Sequence, residues 1–421
     1  MLRWILVASI VVLLSITVFM FIERFGDAPE PLVATASTPE PVSTTDPGTA
    51  ARAIAAVEPE AGTPDLARAR ATPPEAASTP APSAIPAAAG IFAAEAAEGT
   101  PRPSRRLTPA PANGFSLEVP VDCTLGRDCF IQQYVDIDPG PEALDFTCGP
   151  LTYQKHKGTD FRIRNLQALR DGVSVLAARD GRVRAIRDGM DDVNVRKLAP
   201  GAVKGKECGN AVVIVHDDGW ETQYCHMRKG SVIATRGQAI RAGDPIGMVG
   251  MSGSAEFPHL HLSVRKDGRV VDPFRGLEPV AACGADYQTL WSEDAAARLA
   301  YQPGAILDAG FLDRQLSFEE AIQGQASPES IRNDGQGLVI WYIIFGIRQG
   351  DEVSVSITGP DGNRVFNQTL PPHAKDQAQR FAYAGRRTPP DGFAPGIYRG
   401  QVSIVRDGVL YDRRDLSVTL R

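Results

Sequence analysis

No CxxC pair occurs anywhere in the chain, which argues against a structural zinc knot and against a thioredoxin-like redox site. Positive charge is also short: 44 Lys+Arg against 50 Asp+Glu leave a formal charge of -6. Such a chain offers no basic surface to phosphates, so nucleic acid is excluded as a partner. There is no nucleotide-binding glycine loop, since "GTPRP" and "GPDGNR" read as turns, and no internal repeat at a fixed period. Aromatic residues are nearly missing from Asp27 to about Ala110, where Ala, Pro, Thr, Glu and Ser dominate. That stretch cannot bury enough apolar surface to offset its chain entropy and is expected to be a disordered tether. It would span ~50 Å as a coil and up to ~260 Å in extended polyproline II form.

What is present begins with "MLRWILVASIVVLLSITVFMFIERFGD", where Trp4 to Ile22 run without a charge. That is near the ~20 residues a helix needs to cross hydrocarbon. A cleaved secretory signal would have a shorter apolar core and a small-x-small site, which Phe19-Met20-Phe21-Ile22 does not supply. An uncleaved transmembrane helix over 1–26 is the expectation. All six cysteines (Cys123, Cys129, Cys148, Cys208, Cys225, Cys283) lie downstream of it, and an even set suits an oxidising compartment. The body of the chain is therefore expected outside the cytoplasm.

From about 111 to 286 short β-branched runs alternate with Gly and Asp-Gly turns, as in "DGVSVLAARDGRVRAI" and "NAVVIVHDDGWETQYCHM". This texture predicts a mainly β barrel or sandwich. The polar stretch "RDGMDDVNVRKLAPGAVKGKE" within it reads as a long loop. After "ADYQTLWSEDAAARLAYQPGA", read as a short helix and connector, residues 300–421 give six or seven strands that suit a small immunoglobulin-like sandwich.

Five of the six histidines fall between 156 and 261. In a strand "HLHLSVRKD", residues two apart share a face, so His259 and His261 project together while Leu260 and Leu262 point into the core. The plain reading of an isolated HxH is a pair of half-exposed strand histidines. In "HKGTDF", His156 and Asp160 add a nitrogen and an oxygen donor suited to zinc, and one histidine of the HxH makes a third. Three protein ligands leave a fourth position open, which marks catalytic rather than structural sites. In "WETQYCHM", strand alternation puts Tyr224 and His226 on one face and turns Cys225 to the other. Cys225 is thereby a disulfide candidate, with Cys208 across the "HDDGW" turn as its partner. His216 at the turn mouth reads as structural, and His373 in "PPHAK" has no evident partner.

With these residues collected, roughly 114 to 280 resembles the lysostaphin-type (LytM-like) zinc endopeptidases, bacterial enzymes that cut peptidoglycan peptides. "HKGTD", "YCH" and the closing "SGSAEFPHLHLSVRKDGRVVDP" carry the resemblance, framed by "DGVSVLAARDGRV" and "GDPIGMVG". It implies a half-barrel or β-sandwich peptidase domain with one zinc per chain, ligated by His156, Asp160 and His261. It further implies that His226 and His259 flank the open position as base and oxyanion support, and that Tyr224 either steadies the intermediate or packs against its neighbours. The implied partner is peptidoglycan in the bacterial periplasm, reached from the inner membrane through the N-terminal helix. Two departures concern the substrate-binding surface: Ala255-Glu256-Phe257 stand where the family shows small polar residues and Gly, and the Met190 to Lys206 region is long. The alternative is a catalytically silent relative that activates a cell-wall amidase; such relatives lack one or more of the five site residues, all present here. The C-terminal sandwich is open to several roles: docking the wall, recruiting a partner, covering the site, or a structural appendage.

Overall fold

The computed structural model describes residues 31–36 (backbone only), 107–110, 114–277, 287–325 and 327–421. The expected membrane span at 1–26 lies outside the described residues, and no helix among the described residues is long and apolar enough to cross a membrane. Of the expected tether at 27–110, only two short pieces are described, and one departs from a coil. Pro31–Ala36 forms β1, an edge strand paired antiparallel with residues 381–386. Its sequence PLVATA contains Val33 and Thr35, β-branched residues that favour a strand.

The chain is mainly β, as expected. The first sheet draws on β2 (Cys129–Gln133), β3 (Thr159–Ile163), β5 (Gly181–Arg187), β6 (Asn210–Val215), β7 (Trp220–Met227), β8 (Ala239–Ile240), β10 (His259–Lys266) and β11 (Arg269–Val270). The order is β2-β3-β10-β7-β6-β5-β8, with β11 folded back on β10. A two-stranded sheet of β4 (Ser174–Leu176) and β9 (Pro245–Met248) packs beside it.

Alternation along β10 separates two environments. Leu260, Leu262 and Val264 enter a core shared with Phe161, Ile163, Val212, Ile214 and Tyr224. Each such aliphatic side chain contributes about 1.5–3 kcal/mol by leaving water. His259, His261, Ser263 and Arg265 take the opposite face. The connector at 287–301 also belongs to this core, because Trp291 is fully buried against Phe161 and Phe274. Its short helix Glu293–Arg298 is capped by Ser292, whose hydroxyl accepts from the Ala295 N–H.

The C-terminal part packs two sheets, antiparallel except for the short parallel pair β13–β19, around a second core. One holds β12 (Ala305–Leu312), β14 (Gly337–Ile347) and β17 (Gln377–Arg387), edged by β1. The other holds β13 (Ser330–Ile331), β15 (Glu352–Thr358), β16 (Arg364–Thr369), β18 (Gly396–Arg406) and β19 (Val409–Leu420) in the order β13-β19-β18-β15-β16. Ile340, Tyr342 and Ile344 of the first meet Val353, Val355, Val402 and Ile404 of the second.

This sandwich docks on the strand at the end of the first sheet. Phe130 on β2 faces Phe345 with ring centroids 5.6 Å apart, inside a cluster with Leu307 and Trp341. Leu166 N–H donates to Ile322 O at 2.9 Å, and Asn165 Nδ2 to Asp308 Oδ2 at 2.5 Å. Phe130 lies opposite Arg162, which lies opposite His259, so the sandwich rises from the same face of the sheet that carries the histidines.

Candidate metal centre

The register of three neighbouring strands assembles the centre. His261 on β10 stands opposite Asp160 on β3 and opposite Cys225 on β7. Opposed residues share a face, so Asp160 and His261 meet without any loop having to bring them together. His156 arrives from the turn before β3. Donor atoms of His156, Asp160 and His261 all lie within 4.8 Å of one another, and the three side chains are buried.

Distances inside this triad are short. His261 Nδ1 is 2.8 Å from Asp160 Oδ1 and 3.1 Å from His156 Nε2, and His156 Nε2 is 3.2 Å from the same Asp160 oxygen. His156 Nδ1 donates to Tyr134 O at 2.6 Å, which in the neutral ring leaves the lone pair on Nε2, toward the carboxylate. One proton on His261 Nδ1 can satisfy a single contact among these three acceptors. A cation satisfies all of them, so the donor set of two imidazole nitrogens and one carboxylate oxygen fits a bound metal ion. Burial alone would raise the Asp160 carboxyl. The nearby imidazoles of His156 and His259, with the hydrogen bond from His261, outweigh burial and hold it well below the usual carboxylate range. His261 Nε2 is fixed by Ser263 Oγ at 3.0 Å, the outer support that a ligating imidazole ordinarily has.

His226 and His259 complete the centre. His259 Nδ1 donates to Phe257 O at 2.8 Å, and its Nε2 stands 3.7 Å from Asp160 Oδ1. His226 Nδ1 donates to Ser252 O at 2.7 Å. The two rings lie 4.7 Å apart, with the His226 ring 5.9 Å from that of His261. All five residues expected from the sequence therefore come together.

Tyr224 does not join them, and the alternation expected along "YCH" fails. Cys225 and His226 together oppose Ala211, a β-bulge marked by the left-handed backbone of His226 at φ 61°. The extra residue keeps Tyr224 on the core side opposite Leu262, and places both Cys225 and His226 on the side of His261. A non-glycine residue in that conformation costs about 1–3 kcal/mol and persists only when its surroundings hold it. Cys225 is thus not turned away from the metal side. It is bonded to Cys208 as expected, which removes its sulfur from ligation. Cys123 pairs with Cys129, and no described cysteine is free. His216 is structural as expected, bonding Asp180 O through Nδ1 at 2.6 Å and facing Thr222 Oγ1 at 2.9 Å.

The Tyr224 hydroxyl accepts from the Ala178 N–H at 2.7 Å and from Thr222 Oγ1 at 3.1 Å, and burial pushes its pKa up to about 12. Tyr224→Phe should therefore leave kcat within about twofold while costing about 1–3 kcal/mol of stability, because a buried amide loses its acceptor. A thermal melt beside steady-state kinetics checks this.

Two residues escaped the sequence reading. Gly158 has no room for a side chain: a Cβ there would collide with the His261 ring and with Leu262 O. Gly158→Ala should displace His261 and weaken metal binding by about tenfold or more, since forced shifts in a packed site cost about 1–3 kcal/mol; competition with a chelator measures it. The "HxG" spacing itself was the available signal. Arg162 is buried on the same face beside His259, stacked 4.4 Å over Phe257 and bonded to Gln132 Oε1. Burial pushes it down to about 9, against the pull of Asp308.

Residues 154–273 match the profile of Peptidase family M23. Over 126 residues the chain is 30% identical to peptidoglycan DD-endopeptidase ShyB of Vibrio cholerae, covering 30% of this chain and 24% of that one. Over 124 residues it is 34% identical to DD-carboxypeptidase/endopeptidase Mpg of Neisseria meningitidis, covering 30% and 25%. The chain thus spans about a quarter of the length of these curated relatives. Among solved structures, Csd3 of Helicobacter pylori is 24% identical with a TM-score of 0.26, over 40% of this chain and 37% of that one.

Proposed function

We propose, from the match of residues 154–273 to Peptidase family M23, that this chain is a zinc-dependent endopeptidase that hydrolyses peptide cross-links of peptidoglycan. The observation that carries the reading is the convergence of His156, Asp160 and His261 beside two further histidines. The names of the relatives support the substrate class.

The chemistry a zinc ion supplies in such a site is acidification of a water molecule and polarisation of a carbonyl. The remaining work falls to the chain. His226 and His259 each donate Nδ1–H to a backbone carbonyl, so each presents Nε2 to the reacting groups in a fixed tautomer. One Nε2 takes the proton from water and the other, when protonated, supports the oxygen on which charge develops. Burial of the five side chains limits competing solvent and strengthens these interactions.

The proposed setting is the bacterial periplasm, with the run from Trp4 to Ile22 as an inner-membrane anchor. The disulfides Cys123–Cys129 and Cys208–Cys225 support an oxidising compartment. The test is digestion of purified sacculi and cross-linked muropeptides by the zinc-loaded full chain, read by mass spectrometry. Conversion of cross-linked dimers to monomers is expected. A zinc-loaded protein that leaves them intact while stimulating a cell-wall amidase would replace this reading with that of a silent activator.

A further inference from the structure

We propose that the Cys208–Cys225 disulfide is the positioning device that holds His226 at the metal centre. The inference rests on the role given to His226 above, and its argument lies in the bulge. Were β7 regular, His226 would share a face with Tyr224 and point into the core, away from His261. The two residues of the bulge are both gripped by one residue of the preceding turn. Cys208 is bonded through sulfur to Cys225, and its carbonyl accepts the His226 N–H at 2.8 Å.

The same turn fixes the imidazole from the other side. Gly209, at φ 63°, passes so close to Ser252 that a Cβ would strike it. Ser252 O is the acceptor for His226 Nδ1, while Ser252 Oγ accepts from the Asn210 N–H at 2.8 Å and donates to Met227 O at 2.7 Å. Ala211, the residue facing the bulge, packs against both sulfurs' residues. The covalent link thus ties the left-handed His226 backbone to the segment that also places its hydrogen-bond acceptor. Without it, hydrogen bonds alone oppose the return of β7 to ordinary alternation.

The test compares C208A/C225A with the control C123A/C129A, each alone and combined with His226→Ala, all zinc-loaded. Removing Cys208–Cys225 should lower kcat by about 10- to 100-fold, the range expected from an ångström-scale misplacement. KM and bound zinc should hardly change. In the His226→Ala background the same removal should cost nothing further, because the two changes act through one side chain. In NMR spectra the slowly exchanging Nδ1 proton held by Ser252 O should be present in the wild type and the control and lost from C208A/C225A. If that variant does not fold, the folded C123A/C129A control reduced with a phosphine and then reoxidised gives the comparison for the Cys208–Cys225 bond, with its reduction verified by alkylation. Equal loss of kcat in both backgrounds, or an Nδ1 proton that survives without the disulfide, would overturn the proposal. An inert wild type would instead remove the hydrolytic reading, and the Nδ1 proton would still decide the positioning.

Discussion

Asp160→Ala should strip the metal from the centre, taking bound zinc from about one per chain to less than about a tenth. Two imidazoles without the carboxylate leave a buried dication with no neutralising charge, and desolvating such a charge unpaired is prohibitive. Hydrolysis should fall roughly 10³-fold or more, since the route through an acidified water goes with the ion. Asp160→Asn keeps the shape and removes only the charge, so its retained zinc should lie between the two. Elemental analysis after gel filtration, beside muropeptide turnover, reads both. The opposed register of Asp160 and His261 makes a compensating shift difficult, because moving one moves its neighbour on the paired strand.

His226→Ala has the opposite signature. Zinc should stay, KM should change little, and kcat should drop about 10²- to 10⁴-fold, the span typical of a positioned acid or base. The side chain is fully buried, with Nδ1 held by Ser252 O, so Nε2 is the nitrogen left for the reaction. His259→Ala is the natural companion measurement. Whichever of the two removes the acidic limb of the pH profile of kcat/KM is the base, because that limb reports the group that must be unprotonated.

Most of the centre was legible because strand periodicity is simple. The two-residue step from His259 to His261, alternating with Leu260 and Leu262, declares which side is core. The four-residue step from His156 to Asp160 is equally local. What the sequence hid was the bulge at Cys225 and His226. Nothing in "YCHM" announces a histidine at positive φ, since the bulge is imposed by the turn around Cys208 and Gly209 and by the contact with Ser252. A rule of strict alternation therefore put Tyr224 beside the histidines and Cys225 away from them, both reversed in the fold. The connector was similarly deceptive: "TLWSED" reads as a link between domains, yet Trp291 closes the first core. The position of Arg162 against Phe257 depends on a strand pairing and a loop far apart in the chain, so no local pattern could have marked it.

The account stands or falls on whether His156, Asp160 and His261 hold one metal ion between them. Zinc-edge X-ray absorption on the metal-loaded full chain tests this most directly. The prediction is a shell of nitrogen and oxygen at ~2.0–2.2 Å with imidazole scattering and no sulfur, abolished by Asp160→Ala. A sulfur shell at ~2.3 Å, or an unchanged spectrum and stoichiometry in Asp160→Ala, would contradict it.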